Sequence, residues 1–129
     1  ARGKILQALP PLVRAVQREG RHVVWMSDSM HGNTFKADSG FKTRAWSRIM
    51  TEVRGFFAVH EAEGTHAGGL HFEMTGKEVT ECVGGMRRIR SQDLAKRYES
   101  LCDPRLNHSQ ALEMAFEAAD ILRARRMQA

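Results

Sequence analysis

The sequence predicts an α/β fold in which about three parallel strands are covered by helices, and two observations carry that prediction. Segments with apolar residues at helical spacing alternate with short apolar runs, an order that implies parallel strands joined by right-handed helical crossovers. Each short run also lies beside a side chain able to bind a divalent metal: His31, Glu73 and Asp103. Parallel strands ending side by side would bring those three to one rim, the place where (β/α) barrels carry their chemistry. Three strands do not close a barrel. An open sheet leaves bare edges, so the chain is expected to need the rest of its own protein, or further copies of itself.

In chain order, Ile5, Leu6, Leu9, Leu12, Val13 and Val16 repeat at helical spacing across residues 4–19. Pro10-Pro11 falls inside that run, and proline is tolerated in a helix's first turn. Two short helical pieces are therefore expected, the second starting near Pro10, with Gly20 as the stop. His22-Val23-Val24-Trp25-Met26 is rich in β-formers and reads as a strand buried on both faces. Residues 27–42 turn to Ser, Asp, Gly, Asn and Thr, the composition of a loop, and a loop of that length is more often functional than idle. Thr43 is placed as the N-cap of a helix carrying Trp46, Ile49, Met50, Val53, Phe56, Phe57 and Val59, which Gly64 ends. Leu70-His71-Phe72-Glu73-Met74 is the second strand, and Ser91 is placed as the cap of a short helix. Residues 98–102 form the third strand, stopped by Asp103-Pro104, before a last helix over 109–125 with basic residues in its final turn, where the helix dipole favours them.

With 129 residues, 42% of them hydrophobic, the chain can bury one core and is not disordered by composition. The net charge of +5 is scattered, apart from Arg87-Arg88-Ile89-Arg90 and Arg123-Ala124-Arg125-Arg126. Few aromatics and no recognition motif accompany it, so nucleic acid is not the expected partner; phosphorylated small substrates would use the same charges. Cys82 and Cys102 do not make a disulfide framework, and neither a signal peptide nor a long apolar span is visible. A cytoplasmic protein with no membrane partner is the expectation. The opening Ala1-Arg2-Gly3-Lys4 has no initiator Met and suggests a processed product or a piece of something longer.

A neutral imidazole with two carboxylates makes a mixed nitrogen and oxygen set that suits Mn, Fe, Co or Zn and can leave positions open for substrate. Taken singly, each residue has an ordinary explanation: a hydrogen-bonding His31, a salt-bridged Glu73, an Asp103 that ends a turn. Their shared position at strand ends is what joins them. Lys42 and Arg44 lie where the first loop meets a helix N-terminus, a place where anions bind readily, and Arg105 follows Asp103 by two residues. Glu81 and Cys82 have no evident place; a thiol near a metal is a candidate ligand, and a small buried Cys is commoner.

Several of these stretches together resemble a known family. Ser29-Met30-His31-Gly32-Asn33-Thr34, Gly40-Phe41-Lys42-Thr43-Arg44, Gly68-Gly69-Leu70-His71-Phe72-Glu73-Met74-Thr75-Gly76, Val79-Thr80-Glu81-Cys82-Val83-Gly84-Gly85 and Cys102-Asp103-Pro104-Arg105-Leu106-Asn107 are similar to the C-terminal part of the type II (plant-like) 3-deoxy-D-arabino-heptulosonate 7-phosphate (DAHP) synthases. The likeness runs from about Lys4 to Leu122 in order and spacing. It implies that residues 1–129 are a single partial segment from the C-terminal portion of a (β/α)8 TIM barrel, incomplete alone. It also implies condensation of phosphoenolpyruvate with erythrose 4-phosphate, the first step of the shikimate pathway to aromatic amino acids, with a divalent metal, Mn or Co. By motif, the metal ligands fall on His31, Glu73 and Asp103, catalytic roles on Lys42 and His31, and substrate contacts on Lys42, Arg44 and Arg105, the two arginines as phosphate or support residues. The sequence departs from the family at Ser27 and Ser29, where Trp-x-Cys-Asp-Pro-Met-His-Gly-Asn is usual. The family's fourth metal ligand, a Cys, falls outside this stretch, and Cys102 matches a different family cysteine. Two alternatives stand beside this reading: a non-catalytic partial barrel that binds metal, phosphate or a partner, and an aminoDAHP synthase-like enzyme of an antibiotic cluster.

Overall fold

The computed structural model of the chain describes residues 4–129; the opening Ala1-Arg2-Gly3 lies outside them. The elements are α1 (Ile5–Arg18), β1 (Trp25–Asp28), a 3-10 turn (His31–Asn33), β2 (Thr34–Lys36), β3 (Lys42–Arg44), α2 (Trp46–Ala62), β4 (Ala67–His71), a 3-10 helix (Ser91–Lys96) and α3 (His108–Gln128). Helices and parallel strands alternate as the apolar periodicity requires.

The centre of the molecule is α2. Ile49, Met50, Val53, Phe56 and Phe57 are buried along it and pack with Met30, Ala67, Cys82, Leu106 and Met114 into one core. Each of those large apolar side chains is worth about 1.5–3 kcal/mol when removed from water. On one side α1 crosses α2 at Gly55, so closely that a Cβ there would meet Ile5 Cγ2 at 2.6 Å. On another, Trp46 donates its indole N–H to the Gln110 carbonyl at 3.2 Å, tying α2 to α3. α3 starts at a reciprocal cap: the Asn107 side chain accepts from the Gln110 N–H, and the Gln110 side chain accepts from the Asn107 N–H.

β1 and β4 are parallel, with Met26 opposite Gly69 and Asp28 opposite His71. The register slips after Trp25, which leaves Gly68 pressed against β1; a Cβ there would lie 2.7 Å from the Trp25 carbonyl oxygen. Beyond β4, Met74 pairs in parallel with Leu106. Isolated bridges also join Ala45 to Val83 in parallel and Gly84 to Ile89 antiparallel, and β2 and β3 form an antiparallel pair.

Several sequence expectations are corrected. α1 is one helix: Pro10 and Pro11 cannot donate to the carbonyls of Leu6 and Gln7, but both of those residues are exposed, and Ile5, Leu9 and Val13 still reach α2 or the core around it. β1 begins at Trp25, and Val23 and Val24 are exposed, so that run is not buried on both faces; Ser27 is the covered residue. Thr43 is not a helix cap. It sits in β3, donates its hydroxyl to the Glu81 carbonyl at 2.8 Å, and α2 starts after Ala45 instead. The expected loop 27–42 is broken by a hairpin that pairs residues 34–36 with 42–44, with arms too short to show a period. β4 precedes the expected 70–74 run by three residues, Arg90 rather than Ser91 flanks the 3-10 helix, and α3 is capped by Asn107.

The third expected strand, 98–102, does not form. The buried Glu81 carboxylate takes the N–H groups of Glu99, Ser100 and Arg105, each at 2.9 Å, together with the Ser100 hydroxyl. Those donors are then not available to a strand ladder. The parallel pairing appears three residues after Asp103, at Leu106, so Asp103 precedes the paired residue rather than ending a strand.

Candidate metal centre

His31, Glu73 and Asp103 each place a ligand atom within 4.8 Å of the others'. They arrive from three segments: the 3-10 turn after β1, the extension of β4, and the loop held by Glu81. A cation with bonds of roughly 2.1 Å holds its ligands about 3 to 4 Å apart, so small side-chain rotations would close the set around one ion.

The imidazole is set by Asp28. That carboxylate accepts the N–H of Met30 at 3.0 Å and of His31 at 3.2 Å through Oδ1, and meets His31 Nδ1 at 2.6 Å through Oδ2. Partial burial works against the charge on Asp28, but the hydrogen bonds from His31 and Met30 outweigh it and hold the carboxyl below the usual aspartate range. An ionised carboxylate facing Nδ1 places the proton there and leaves the Nε2 lone pair free. Nε2 lies 3.5 Å from Glu73 Oε1. The His71 ring stacks on His31 at 5.9 Å between centroids, and Asp28, His31 and His71 form a second, overlapping convergence of ligand atoms.

Each of the two carboxylates has one oxygen held by a cation. Glu73 Oε2 accepts from Arg44 Nη1 at 2.5 Å, leaving Oε1 toward His31. Asp103 Oδ1 accepts from Lys42 Nζ, and Oδ2 lies 3.6 Å from Arg44 Nη2. The Lys42 hydrogen bond holds the Asp103 carboxyl below its usual range against desolvation, with the charges of Lys42 and Arg44 adding to the effect. One imidazole nitrogen and two carboxylate groups make a donor set that fits a divalent cation of the Mn, Co or Zn type.

The structure thus gathers His31, Glu73, Asp103, Lys42 and Arg44. Arg105 stands apart: it is exposed, and its side chain lines a cleft with Lys77, Thr75 and Ser100 on the Glu81 side of the loop. Arg44 is fully buried. Burial pushes the Cys82 thiol up to about 12, which makes it a neutral core group, and Cys102 is exposed. Asp28 and Glu81 are the contributors that residue spacing did not reveal. Asp28, three residues before His31, is the one that the hydrogen-bonding habit of Asp in turns could have marked.

The family model for the class-II DAHP synthetase family matches residues 1–119. The chain belongs to that family. It is 54% identical over 120 residues to the phospho-2-dehydro-3-deoxyheptonate aldolase AroG of Mycolicibacterium smegmatis, covering 93% of this chain and 26% of the relative. It is 53% identical over 120 residues to the phospho-2-dehydro-3-deoxyheptonate aldolase of Streptomyces coelicolor, covering 93% and 27%. The chain therefore spans about a quarter of the length of the curated relatives it matches. Within this class-II chain, the two departures from the usual motif are both buried. Ser27 lies in β1, and the Ser29 hydroxyl has no hydrogen-bond partner among the described residues, while the Ser29 carbonyl accepts from Asn33 at 2.8 Å.

Proposed function

We propose that this chain is one partial (β/α) barrel segment, the C-terminal part of a DAHP synthase, and that it supplies three metal ligands and a substrate-facing lysine to the condensation of phosphoenolpyruvate with erythrose 4-phosphate. The observation that carries the proposal is the convergence of His31, Glu73 and Asp103, the first two just past the ends of parallel β1 and β4 and the third shortly before the paired Leu106, in a chain that matches the family over residues 1–119. A bound divalent ion, Mn or Co, would act as a Lewis acid on the aldehyde oxygen of the sugar phosphate. His31 enters that site with its Nδ1 proton held by Asp28, so only Nε2 faces the ion. Lys42 is half exposed and now occupied by Asp103. Its flexible ammonium can leave that carboxylate when an ion takes it, and turn to a phosphate or the aldehyde oxygen.

Among the described residues no helix is long and apolar enough to cross a membrane. Val24, Met26, Phe116 and Met127 remain exposed on faces where further barrel elements, or another copy, would pack. The test follows loss of phosphoenolpyruvate absorbance with erythrose 4-phosphate and Mn. The chain alone is expected to be inactive, and to turn over substrate when combined with the preceding three quarters of a family member. Inactivity of the complemented pair, with the metal bound, would refute the catalytic assignment and leave a non-catalytic segment.

A further inference from the structure

Arg44, the last residue of β3, is among the largest fully buried side chains in the chain. Its guanidinium is divided among the three segments that carry the ligands. Nε donates to the Met30 carbonyl at 2.9 Å, next to His31; Nη1 donates to Glu73 Oε2 at 2.5 Å and to the Pro104 carbonyl, next to Asp103. Nη2 points at Asp103 Oδ2 from 3.6 Å and has no hydrogen-bond partner among the described residues. The backbone of Arg44 is fixed in turn, its carbonyl accepting from the Val83 N–H at 2.9 Å.

We infer that Arg44 is a positioning residue: one buried guanidinium sets the spacing of His31, Glu73 and Asp103 and selects which oxygen of each carboxylate faces the ion. The inference rests on the metal reading of that site. It gives the two cations different tasks. Lys42 is exposed enough to leave Asp103, whereas Arg44 has no path to solvent and keeps its contacts whether or not an ion is present. It also moves Arg44 away from direct phosphate contact, because the donors that would meet a phosphate are turned inward. A planar fork is required, since a lysine ammonium is a single point that cannot reach the Met30, Glu73 and Pro104 oxygens together.

The test is a Co2+ titration of the chain and of Arg44→Lys, read by visible absorption, with far-UV circular dichroism as the folding control. Arg44→Lys is expected to bind Co2+ at least tenfold more weakly and with an altered spectrum. Addition of free guanidinium to Arg44→Ala should recover part of the original spectrum. Equal affinity and an unchanged spectrum in Arg44→Lys would overturn the inference while leaving the metal centre standing. Failure of the unsubstituted chain to bind Co2+ would instead remove the metal reading, and the inference with it. A measurement on the unsubstituted chain covers the case in which the variants do not fold. The Arg44 Nε–H resonance should be protected from exchange and should shift with Zn2+ but not with inorganic phosphate. A shift with phosphate alone would overturn the positioning role.

Discussion

Replacing Asp28 by Asn isolates the part of the site that fixes the state of His31. The amide keeps the volume, and its oxygen can still take the Met30 and His31 N–H groups. What changes is the atom facing Nδ1, which becomes an N–H2 donor across the 2.6 Å contact. The imidazole must then accept at Nδ1 and carry its proton on Nε2, the nitrogen that faces Glu73. A protonated Nε2 cannot ligate. Loss of such an outer partner of a metal-binding histidine costs about 10–100-fold in metal affinity, or roughly 1.4–2.7 kcal/mol. Calorimetric titration with Mn2+ gives the affinity, and long-range 15N–1H correlation gives the tautomer directly. Asp28→Asn should bind tenfold or more weakly, with the proton moved to Nε2. An unchanged affinity with an unchanged tautomer would refute the orienting role of Asp28.

Other consequences are equally open to measurement. The Asp103 carboxyl should titrate below the ordinary aspartate range in a 13C NMR titration. Because its folded value is depressed, its stabilising contribution is present at neutral pH and is lost as pH falls through that depressed value. Lys42→Ala should raise the midpoint, and an unmoved midpoint would remove Lys42 as the cause. With Cys82 buried and pushed up to about 12, and Cys102 exposed, a disulfide reagent at pH 8 should label one thiol quickly and the second only on unfolding. Two fast equivalents would contradict the burial. Gly68→Ala puts a Cβ against the Trp25 carbonyl and should cost on the order of 1–3 kcal/mol in urea denaturation, with no loss indicating that β1 and β4 can separate at that point.

The readable parts of the sequence were those with long periods. α2 and α3 show in the spacing of Ile49, Met50, Val53 and Phe56, and of Met114 and Ile121, because a helix repeats its buried face over many residues. His31, Glu73 and Asp103, which the fold brings within 4.8 Å of one another, stand out in the sequence, since a loop-borne His and two acids beside apolar runs are chemically conspicuous. The strand boundaries were less legible. A four-residue β1 with an open edge leaves Val23 and Val24 exposed, although their β propensity is higher than that of Ser27 and Asp28, which do pair. The segment 98–102 looked like a strand because nothing local shows that Glu81, more than fifteen residues earlier, will take its N–H groups. Arg44, where the first loop meets a helix N-terminus, carries a charge that suggests an anion contact. Its burial follows from contacts to Met30, Glu73 and Pro104, which lie far from it in sequence.

The most direct measurement is a crystal of the chain grown with Mn2+ and examined by anomalous scattering at the manganese edge. One peak is expected, roughly 2.0 to 2.3 Å from His31 Nε2 and from one oxygen each of Glu73 and Asp103, with Arg44 still on the other oxygen of Glu73. A peak elsewhere, or a metal-soaked crystal in which those three side chains stay apart with no peak between them, would contradict the account.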